Sequence, residues 1–347
     1  MPVLIDIDSS DHHLSAEARN NRKKILRESR EALTGCVNIG LVNNMPDGAL
    51  VSTERQLFDL LNGATKEIPI RLHLYALPMV SRSDWGRQYT KRFYLDADGL
   101  LDSELDGLIV TGAEPQAEKL NQEPYWDSLG QVIDWAQENT VSAVWSCLAL
   151  HGAVLRLDGI ERCQLGEKCT GVFEQTKKQE HPLLEGTASH FRIPHSRWNE
   201  VSEQSLTSSG YSILTSSEDA GVDMFVKQIK KSLFVYFQGH PEYDAHSLLG
   251  EYRRDVGRFL RGEIERYPNM PHGYFDNHAR ELLVAFQNQA NSDRRKELFA
   301  AFPVDPVGLK LRNTWSATAN RIYRNWITYI AERKPRLRML GAAAVRV

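Results

Sequence analysis

Val141-Ser-Ala-Val-Trp-Ser-Cys147-Leu-Ala-Leu-His-Gly-Ala-Val-Leu155 joins an uncharged apolar run to a second run with helical character. Residues 141–146 predict a short buried strand, and residues 148–155 predict a helix. Cys147 is therefore expected on a sharp turn at a helix N-terminus, where the helix dipole and the free N–H groups favour a thiolate. The same N–H groups can stabilise an oxyanion. This junction predicts a nucleophile at the carboxyl end of a strand, the edge at which α/β sheets bind ligands.

The segment Gly239-His-Pro-Glu-Tyr-Asp244 follows another apolar run and supplies partners for the cysteine. His240 and Glu242 are two residues apart, so on an extended segment both side chains point to one face, and Pro241 fixes the backbone between them. A cysteine, a histidine and a carboxylate that orients the histidine are the parts of an acyl-transferring site. Taken singly, a cysteine in the context of Cys147 is more often a small buried hydrophobic residue than a nucleophile. A lone histidine such as His240 is likewise more often structural. The two contexts together favour catalysis.

The hydrophobic pattern alternates between strands and helices along most of the chain. Buried strands are predicted at 37–43 and 106–112, a strand of alternating apolar and polar residues at 68–75, and an amphipathic helix at 124–137. Later strands are predicted at 190–194, 211–215 and 232–237, and a further helix at 315–330. This order of elements is typical of a parallel sheet with helices on both faces. The predicted fold class is α/β, with a mostly parallel sheet flanked by helices and a helical C-terminal part from about residue 244.

Three segments are expected along the chain. Residues 1–35 are polar and charged, and they predict an N-terminal extension with a short amphipathic helix. Residues 36–335 are predicted to form the main domain, because no internal repeat or low-complexity linker divides them. Residues 336–347 are predicted to form a basic tail.

The composition argues against several functional classes. The 347 residues are 41% hydrophobic and 25% charged, with a formal net charge of −3, which is ordinary for a globular chain with one large core. No broad basic surface is expected, which argues against nucleic acid as a partner, and the apolar stretches are too short to span a membrane. The four cysteines include no CxxC pair, so no metal site is predicted. The polar N-terminus lacks a signal-peptide core, so a cytoplasmic location is expected.

Several ordered motifs resemble those of the homoserine O-acyltransferases of the homoserine O-succinyltransferase type. The similarity extends over about residues 37–330, and so many ordered matches are specific although each alone is weak. The matching motifs are Asn44-Met-Pro46, Thr53-Glu54-x-Gln56, Asp106-Gly-Leu-Ile-Val-Thr-Gly-Ala113, Tyr125-Trp126, Cys147, Glu167-Lys-x-x-Gly-Val172, Pro194-His-Ser-Arg197, Gly239-His-Pro-Glu-Tyr-Asp244 and Asn325-Trp326. The resemblance implies a class I glutamine-amidotransferase-like, flavodoxin-like fold.

The resemblance also implies a ping-pong reaction in methionine biosynthesis. Cys147 would attack the thioester of an acyl-CoA to form an acyl-enzyme, His240 would act as general base, and Glu242 would hold the imidazole. An acetyl or succinyl group would then move to the hydroxyl of L-homoserine. Acyl-CoA would be a co-substrate, no separate cofactor would be needed, and the protein would be a homodimer that binds small molecules.

Three further residues match family positions that contact substrate. These residues are Lys168, Ser196 and Arg254. Arg254 suits a substrate carboxylate, because a guanidinium can pair with a carboxylate through two hydrogen bonds. The residues by themselves also fit a purely structural interpretation, in which Lys168 and Arg254 form surface salt bridges and Ser196 is a turn hydroxyl.

The chain departs from the family pattern at three places. The loop that usually contains Met-Pro-Lys-Lys is Met45-Pro46-Asp47-Gly48, which lacks two positive charges. Gln116 occupies the position where the family has Gly with succinyl-CoA and Glu with acetyl-CoA. Leu148 and His151 replace larger or amide residues after the nucleophile. The bulk of Gln116 and the missing cations favour acetyl as the donor group, although the Gln116 amide can donate to a succinyl carboxylate.

Other functions remain compatible with parts of the pattern. Serine is an alternative acceptor, which would make the protein a serine O-acyltransferase of cysteine biosynthesis. A glutamine-hydrolysing amidotransferase of the same fold would need a Gly-x-Cys-x-Gly elbow, whereas the chain has Trp145-Ser-Cys-Leu-Ala149. A non-catalytic binding module would be expected to lack the cysteine, the histidine or the glutamate, and the chain has all three.

Overall fold

A computed structural model describes residues 3–6, 36–65 and 67–334 of the chain. Residues 7–35, which hold most of the predicted N-terminal extension with its short amphipathic helix, and the basic tail predicted at 336–347 lie outside the described residues. Within the segment predicted as an N-terminal extension, Val3–Asp6 forms a strand that pairs with the central sheet.

An eight-stranded sheet forms the centre of the described structure. In spatial order its strands are β1 (Val3–Asp6), β3 (Ile70–Tyr75), β2 (Val37–Val42), β4 (Gly107–Val110), β5 (Ser142–Ser146), β12 (Ser232–Phe237), β11 (Met224–Ile229) and β8 (Ser212–Ile213). The strands from β1 to β12 in this order pair in parallel. Only β11 pairs antiparallel, with β12 and with β8. The predicted α/β fold with a mostly parallel sheet is therefore confirmed.

Helices cover both faces of this sheet, because its central strands are buried on both sides. One face packs against α1 (Asp47–Ala64) and α10 (Ser316–Arg333). The other face packs against α3 (Ala97–Leu101), α4 (Trp126–Asn139) and α5 (Leu148–Asp158). The helices predicted at 124–137 and 315–330 occur as α4 and α10.

A second, four-stranded antiparallel sheet was not predicted from the sequence. Its strands in spatial order are β10 (Gly221–Val222), β9 (Thr215–Ser217), β6 (Cys163–Lys177) and β7 (His190–Glu200). The first eight residues of β6 include no buried position, so the strand carries no apolar alternation there from which to predict it. The predicted strand at 190–194 is the first part of β7.

The remaining helices lie between and after these strands. They are α2 (Asp84–Phe93), α6 (Glu203–Ser208), α7 (Ser247–Leu260), α8 (Asn277–Ser292) and α9 (Val304–Gly308), with 3-10 turns at Leu120–Gln122, Pro182–Leu184 and Lys296–Ala301. Helices α7 and α8 share an apolar cluster that includes Val256, Phe259 and Leu283. None of the described helices combines the length and the apolarity that a membrane crossing requires.

Helix α10 returns from this helical part to the central sheet. The indole Nε1 of Trp326 donates to the Ser142 hydroxyl at the start of β5 over 2.8 Å. After the helix ends, the Lys334 ammonium donates to the Cys36 carbonyl over 2.9 Å and pairs with Asp106. These buried contacts join the end of the described chain to the strands that carry the candidate site.

Three neighbouring parallel strands end at one edge of the central sheet. Trp145 of β5 pairs with Val110 of β4 on one side and with Tyr236 of β12 on the other. Because parallel neighbours end together, the loops that follow these strands meet. They contain Gly112, Cys147 and His240, and this edge is where the site is found.

Candidate active site

Cys147 occupies a strained elbow between β5 and α5. Its φ of 51° and ψ of −116° lie outside the regions that non-glycine residues normally adopt. The Cys147 N–H donates to the Phe237 carbonyl at the end of β12 over 2.9 Å. Strain of this kind persists only where the surrounding structure imposes it, and it is concentrated at functional sites. The elbow turns the chain from strand to helix at the predicted nucleophile.

His240 and Glu242 are in direct contact, although not in the way that the sequence predicted. The segment is a turn closed by a hydrogen bond from the Tyr243 N–H to the His240 carbonyl over 3.1 Å, and not an extended strand. In this turn Nδ1 of His240 lies 2.8 Å from Oε1 of Glu242. The Tyr243 ring stacks on the imidazole with 4.3 Å between ring centroids. The turn therefore leaves Nε2 of His240 to face a reacting group.

The electrostatic surroundings favour a charged imidazole beside the cysteine. Burial alone would lower the pKa of His240, but the Glu242 carboxylate and a hydrogen bond with Cys147 raise that pKa well above its ordinary value. The three side chains predicted as catalytic, Cys147, His240 and Glu242, are thus brought together. Their arrangement is that of a nucleophile, a base and a group that orients the base.

A close approach between two loops creates a candidate oxyanion site. A Cβ atom at Gly112, after β4, would lie 2.9 Å from the backbone nitrogen of Leu148. Leu148 is the first residue of α5, so its N–H has no acceptor within the helix. This N–H lies next to the Cys147 sulfur in the chain and can donate to an oxyanion that forms there.

The three predicted substrate-binding residues converge on a carboxylate that the sequence analysis did not identify. Glu251, on the first half of α7, accepts a hydrogen bond from the Ser196 hydroxyl and pairs with the Lys168 ammonium over 3.2 Å. The Arg254 guanidinium lies 3.8 Å from Glu251. It also pairs with Asp255 over 3.1 Å, and Asp255 lies 2.8 Å from Lys168. Strands β6 and β7 and helix α7 therefore contribute to one charged cluster.

Glu251 remains ionised within this cluster. Burial alone would raise the pKa of Glu251, but the Lys168 ammonium and the hydroxyls of Ser196 and Tyr243 lower it to about 2. Tyr243 donates to Glu251 through its hydroxyl and stacks on His240 through its ring. A buried carboxylate is thereby linked to the catalytic turn by one side chain. Its place one helical turn before Arg254, after the Gly239-His-Pro-Glu-Tyr-Asp244 motif, was the signal in the sequence that could have identified it.

A groove of about 840 Å³ opens over this cluster between α1 and α7. We call it the α1–α7 groove. The residues that define it are Met45, Pro46, Gly48, Ala49, Ser52, Thr53, Gln56, Glu114, Tyr243, Asp244, His246, Ser247, Gly250, Glu251, Arg254, Arg258, Arg261 and Glu263. It is far larger than an amino acid requires, and it contains both acidic and basic groups.

Gln116 is exposed on the loop after β4. Its backbone N–H and that of Ala117 donate to the buried Glu123 carboxylate over 2.8 and 2.9 Å. Gln116 lines a cavity of about 280 Å³ together with Tyr125 and others, and Pro46 and Glu114 line both this cavity and the α1–α7 groove. The predicted donor-specificity residue therefore borders a space that adjoins the groove.

Two departures from the family pattern have structural explanations. Asp47 accepts from the Ser83 N–H over 2.7 Å and pairs with Arg82, whose guanidinium also donates to the Met45 carbonyl over 3.0 Å. Asp47 thus anchors the loop after β2. His151 is buried in α5, and burial lowers its pKa to about 3, so it is a neutral core residue.

Within the described ranges no group of three or more His, Cys, Asp or Glu side chains could hold a metal ion.

Comparison with known proteins identifies the family. The model of the homoserine O-succinyltransferase family matches residues 5–336. The chain belongs to this family. A homoserine O-succinyltransferase from Rhodopseudomonas palustris is 46% identical over 302 residues, covering 87% of this chain and 90% of the relative. One from Bradyrhizobium japonicum is 46% identical over 299 residues, covering 85% and 90%.

Solved structures similar to this homoserine O-succinyltransferase family member include two glutamine amidotransferases. The protein from Methylobacillus flagellatus has a TM-score of 0.48 and 16% identity, covering 85% of this chain and 95% of its own. The protein from Thermotoga maritima has a TM-score of 0.47 and 10% identity, covering 85% and 98%.

Glu242→Gln should slow the alkylation of Cys147 by iodoacetamide at pH 7 by about tenfold, because a hydrogen bond to a charged group is worth about 1.5–3 kcal/mol and the imidazolium beside the thiol loses that partner. The glutamine preserves the size of the side chain but removes the charge that stabilises the imidazolium. Peptide mass spectrometry over time measures the rate, and the exposed Cys163 in the same sample is the internal control. Equal rates for Cys147 in the variant and the unchanged protein would contradict this role for Glu242.

Proposed function

We propose that this protein transfers an acyl group from an acyl-CoA thioester to the hydroxyl of L-homoserine, through an acyl-enzyme on Cys147. The observation that carries the proposal is the strained Cys147 elbow beside the His240–Glu242 pair. Membership of the homoserine O-succinyltransferase family supports the choice of acceptor. The proposed reaction would serve methionine biosynthesis, and its proposed location is the cytoplasm.

In the first half-reaction, the Cys147 sulfur attacks the carbonyl carbon of the thioester. The carbonyl oxygen becomes an oxyanion, to which the Leu148 N–H donates. As the tetrahedral intermediate collapses, the bond between carbon and the CoA sulfur breaks, and the His240 imidazolium protonates the leaving thiolate. The products are the Cys147 thioester, free CoA and a neutral His240. The CoA thioester that breaks and the Cys147 thioester that forms have similar energies, so this exchange needs only positioning and charge stabilisation.

In the second half-reaction, neutral His240 takes the proton from the homoserine hydroxyl as its oxygen attacks the Cys147 thioester. Glu242 stabilises the imidazolium that forms, through its contact with Nδ1. The second tetrahedral intermediate releases the Cys147 thiolate and the O-acyl ester. The thiolate and the imidazolium then face each other again, as at the start of the cycle.

The charged cluster around Glu251 suits the two charges of an amino acid acceptor. Glu251 is buried, ionised and linked to His240 by Tyr243, so it can bind the ammonium group close to the base. Arg254, with about half of its side chain exposed in the α1–α7 groove, can bind the carboxylate. Lys168 and Ser196 hold Glu251 in place through a salt bridge and a hydrogen bond. The remaining length of the groove leaves room for part of CoA.

The donor that we propose is succinyl-CoA. The bulk of Gln116 argues for acetyl, but its side chain is exposed and borders a cavity of about 280 Å³ that can receive a longer acyl group. The curated relatives at 46% identity are named homoserine O-succinyltransferases. A carboxamide is neutral and can donate a hydrogen bond to the succinyl carboxylate.

The reaction is tested by mass spectrometry and by a crossed activity assay. Incubation with succinyl-CoA and no acceptor should add one succinyl group, on Cys147, and L-homoserine should then remove it. Cys147→Ala should lose the adduct and the activity but keep its thermal unfolding temperature, because the residue is small and only partly buried. Acetyl-CoA and L-serine, each exchanged for the proposed substrate, test the alternatives. An adduct on another residue, or an active alanine variant, would refute the acyl-enzyme.

Glu251→Gln should raise the KM for L-homoserine by about tenfold or more, because a hydrogen bond between charged groups is worth about 1.5–3 kcal/mol. The variant should also discriminate less between L-homoserine and 4-hydroxybutyrate, which lacks the ammonium group. Glu263→Gln is the matched control, since Glu263 lines the same groove but pairs with Arg261 away from His240. If the preference for L-homoserine over 4-hydroxybutyrate stays unchanged in Glu251→Gln, Glu251 does not bind the ammonium.

Gln116→Glu should lower kcat/KM for succinyl-CoA by about tenfold or more and leave that for acetyl-CoA nearly unchanged. The substitution keeps the shape of the side chain and places a negative charge beside the succinyl carboxylate, and one pocket contact is typically worth about 1–3 kcal/mol. Gln122→Glu makes the same change at an exposed position of the same connection, outside the lining of the cavity. An unchanged ratio of the two donors in Gln116→Glu would mean that Gln116 does not contact the acyl group.

A further inference from the structure

A buried carboxylate lies beneath the turn that carries His240. It contacts the residues that precede His240, whereas Glu242 follows His240 in the chain. Asp223, which precedes β11, is only 1% exposed. Its Oδ1 accepts from the Gly239 N–H over 2.9 Å, and its Oδ2 accepts from the Thr215 hydroxyl over 3.3 Å. The Asp223 carbonyl accepts from the Gln238 N–H over 3.0 Å. Asp223 therefore contacts both residues that connect β12 to His240.

The packing around Gly239 leaves no room for a side chain at this position. A Cβ atom at Gly239 would lie 2.7 Å from Oδ1 of Asp223 and 2.9 Å from the Pro194 carbonyl oxygen. The same Pro194 carbonyl accepts from the His240 N–H over 2.8 Å. The N–H groups of Gly239 and His240 are thus both held by acceptors from other segments of the chain.

Asp223 is the negative group in this buried region. The His195 Nε2 lies 3.6 Å from its Oδ1, and burial lowers the pKa of His195 well below its ordinary value, so this neighbour is neutral. Arg197, held by the Asn199 and Ala220 carbonyls, is the nearby cation on β7. Burial raises the pKa of Asp223 to about 6, against the opposing effects of the Gly239 N–H, Thr215, Arg197 and His240. Asp223 is therefore mostly ionised at pH 7.

The titratable groups that face His240 come from several elements. Glu242 contacts Nδ1, and the Cys147 thiol contacts the ring from the elbow after β5. Neutral His195 approaches from β7, and Asp223 approaches from the strand that neighbours β12. The imidazolium is accordingly stabilised by a carboxylate in contact with it, and a second carboxylate lies under its own backbone.

We propose that Asp223 is a positioning residue for His240, which holds the Gly239–His240 peptide in place and stabilises the imidazolium by its negative charge. The proposal concerns the same Cys147–His240 pair as the proposed function. Its test uses the chemistry of the thiol alone, so that it does not depend on which substrates are bound. The contacts with Gly239 and Gln238 predict a structural effect, whereas the charge predicts an effect that varies with pH.

The test compares Asp223→Asn with the unchanged protein by alkylation of Cys147 with iodoacetamide between pH 5.5 and about pH 9.5. Asparagine can still accept from the Gly239 N–H but carries no charge. At pH 7 the variant should react about tenfold more slowly, because the imidazolium that supports the thiolate is less stable. Above about pH 9 the two rates should converge, because an ordinary cysteine, with a pKa of about 8.5, forms a thiolate there without an imidazolium.

Asp158→Asn is the matched control. Asp158 is a partly buried carboxylate at the far end of α5, where it accepts from the Tyr211 hydroxyl over 2.6 Å and pairs with Lys227. Its alkylation profile should equal that of the unchanged protein. Thermal unfolding of both variants, followed by circular dichroism, verifies that they are folded at the temperature of the assay.

Three outcomes separate the two proposals. A slower rate at pH 7 that converges at high pH supports the role of Asp223, even if no acyl transfer to L-homoserine is found. An unchanged profile overturns that role, even if the protein proves to be an acyltransferase. Equal slowing at every pH would mean that Asp223 only holds the backbone, and it would also overturn the proposal. With active protein, Asp223→Asn should in addition lower kcat about tenfold and leave the KM for L-homoserine unchanged.

Discussion

The hydrogen bond from the Cys147 N–H to the Phe237 carbonyl joins the two halves of the candidate site. It connects the elbow after β5 to the last residue of β12, and the His240 turn starts only three residues later. Two adjacent parallel strands therefore determine the separation of nucleophile and base. A base on a long flexible loop would lose conformational entropy each time it approached the nucleophile. Here the folded sheet already holds the base beside the nucleophile.

Three carboxylates around this pair differ in their surroundings and hence in what they can do. Glu242 contacts the imidazole and stabilises its charge. Glu251 is surrounded by an ammonium, a guanidinium and two hydroxyls, which keep it ionised and suit it to a ligand cation. Asp223 is buried with few compensating charges, so its pKa is raised to about 6 while its oxygens hold the backbone. Neighbouring groups, rather than residue type, separate these roles.

Much of the fold and the reactive triad could be predicted from the chain itself. The strand and helix on either side of Cys147 are encoded by neighbouring residues, and so are β2, β4 and β12, because a buried parallel strand is a nearly continuous apolar run. Strand β3 is encoded by its alternation of apolar and polar residues. The second sheet was missed because β6 begins with residues that are not buried. The contact of His240 with Glu242 was expected from an extended segment, and a turn produced it instead. Spacing in sequence could identify the pair, whereas the backbone angles depend on how Pro194 and Asp223 hold the turn.

The sequence by itself determined the α/β fold class, the position of Cys147 between a strand and a helix, and the pairing of His240 with Glu242. These features depend on residues close together in the chain, whose periodicity and turn preferences act locally. Only the tertiary structure decided that Lys168, Ser196 and Arg254 meet at Glu251, and that Asp223 lies under Gly239. Lys168 and Glu251 are 83 positions apart, and no local pattern relates them. Their contact follows from the packing of α7 against β6 and β7, where a buried charge is stable only if it finds a partner.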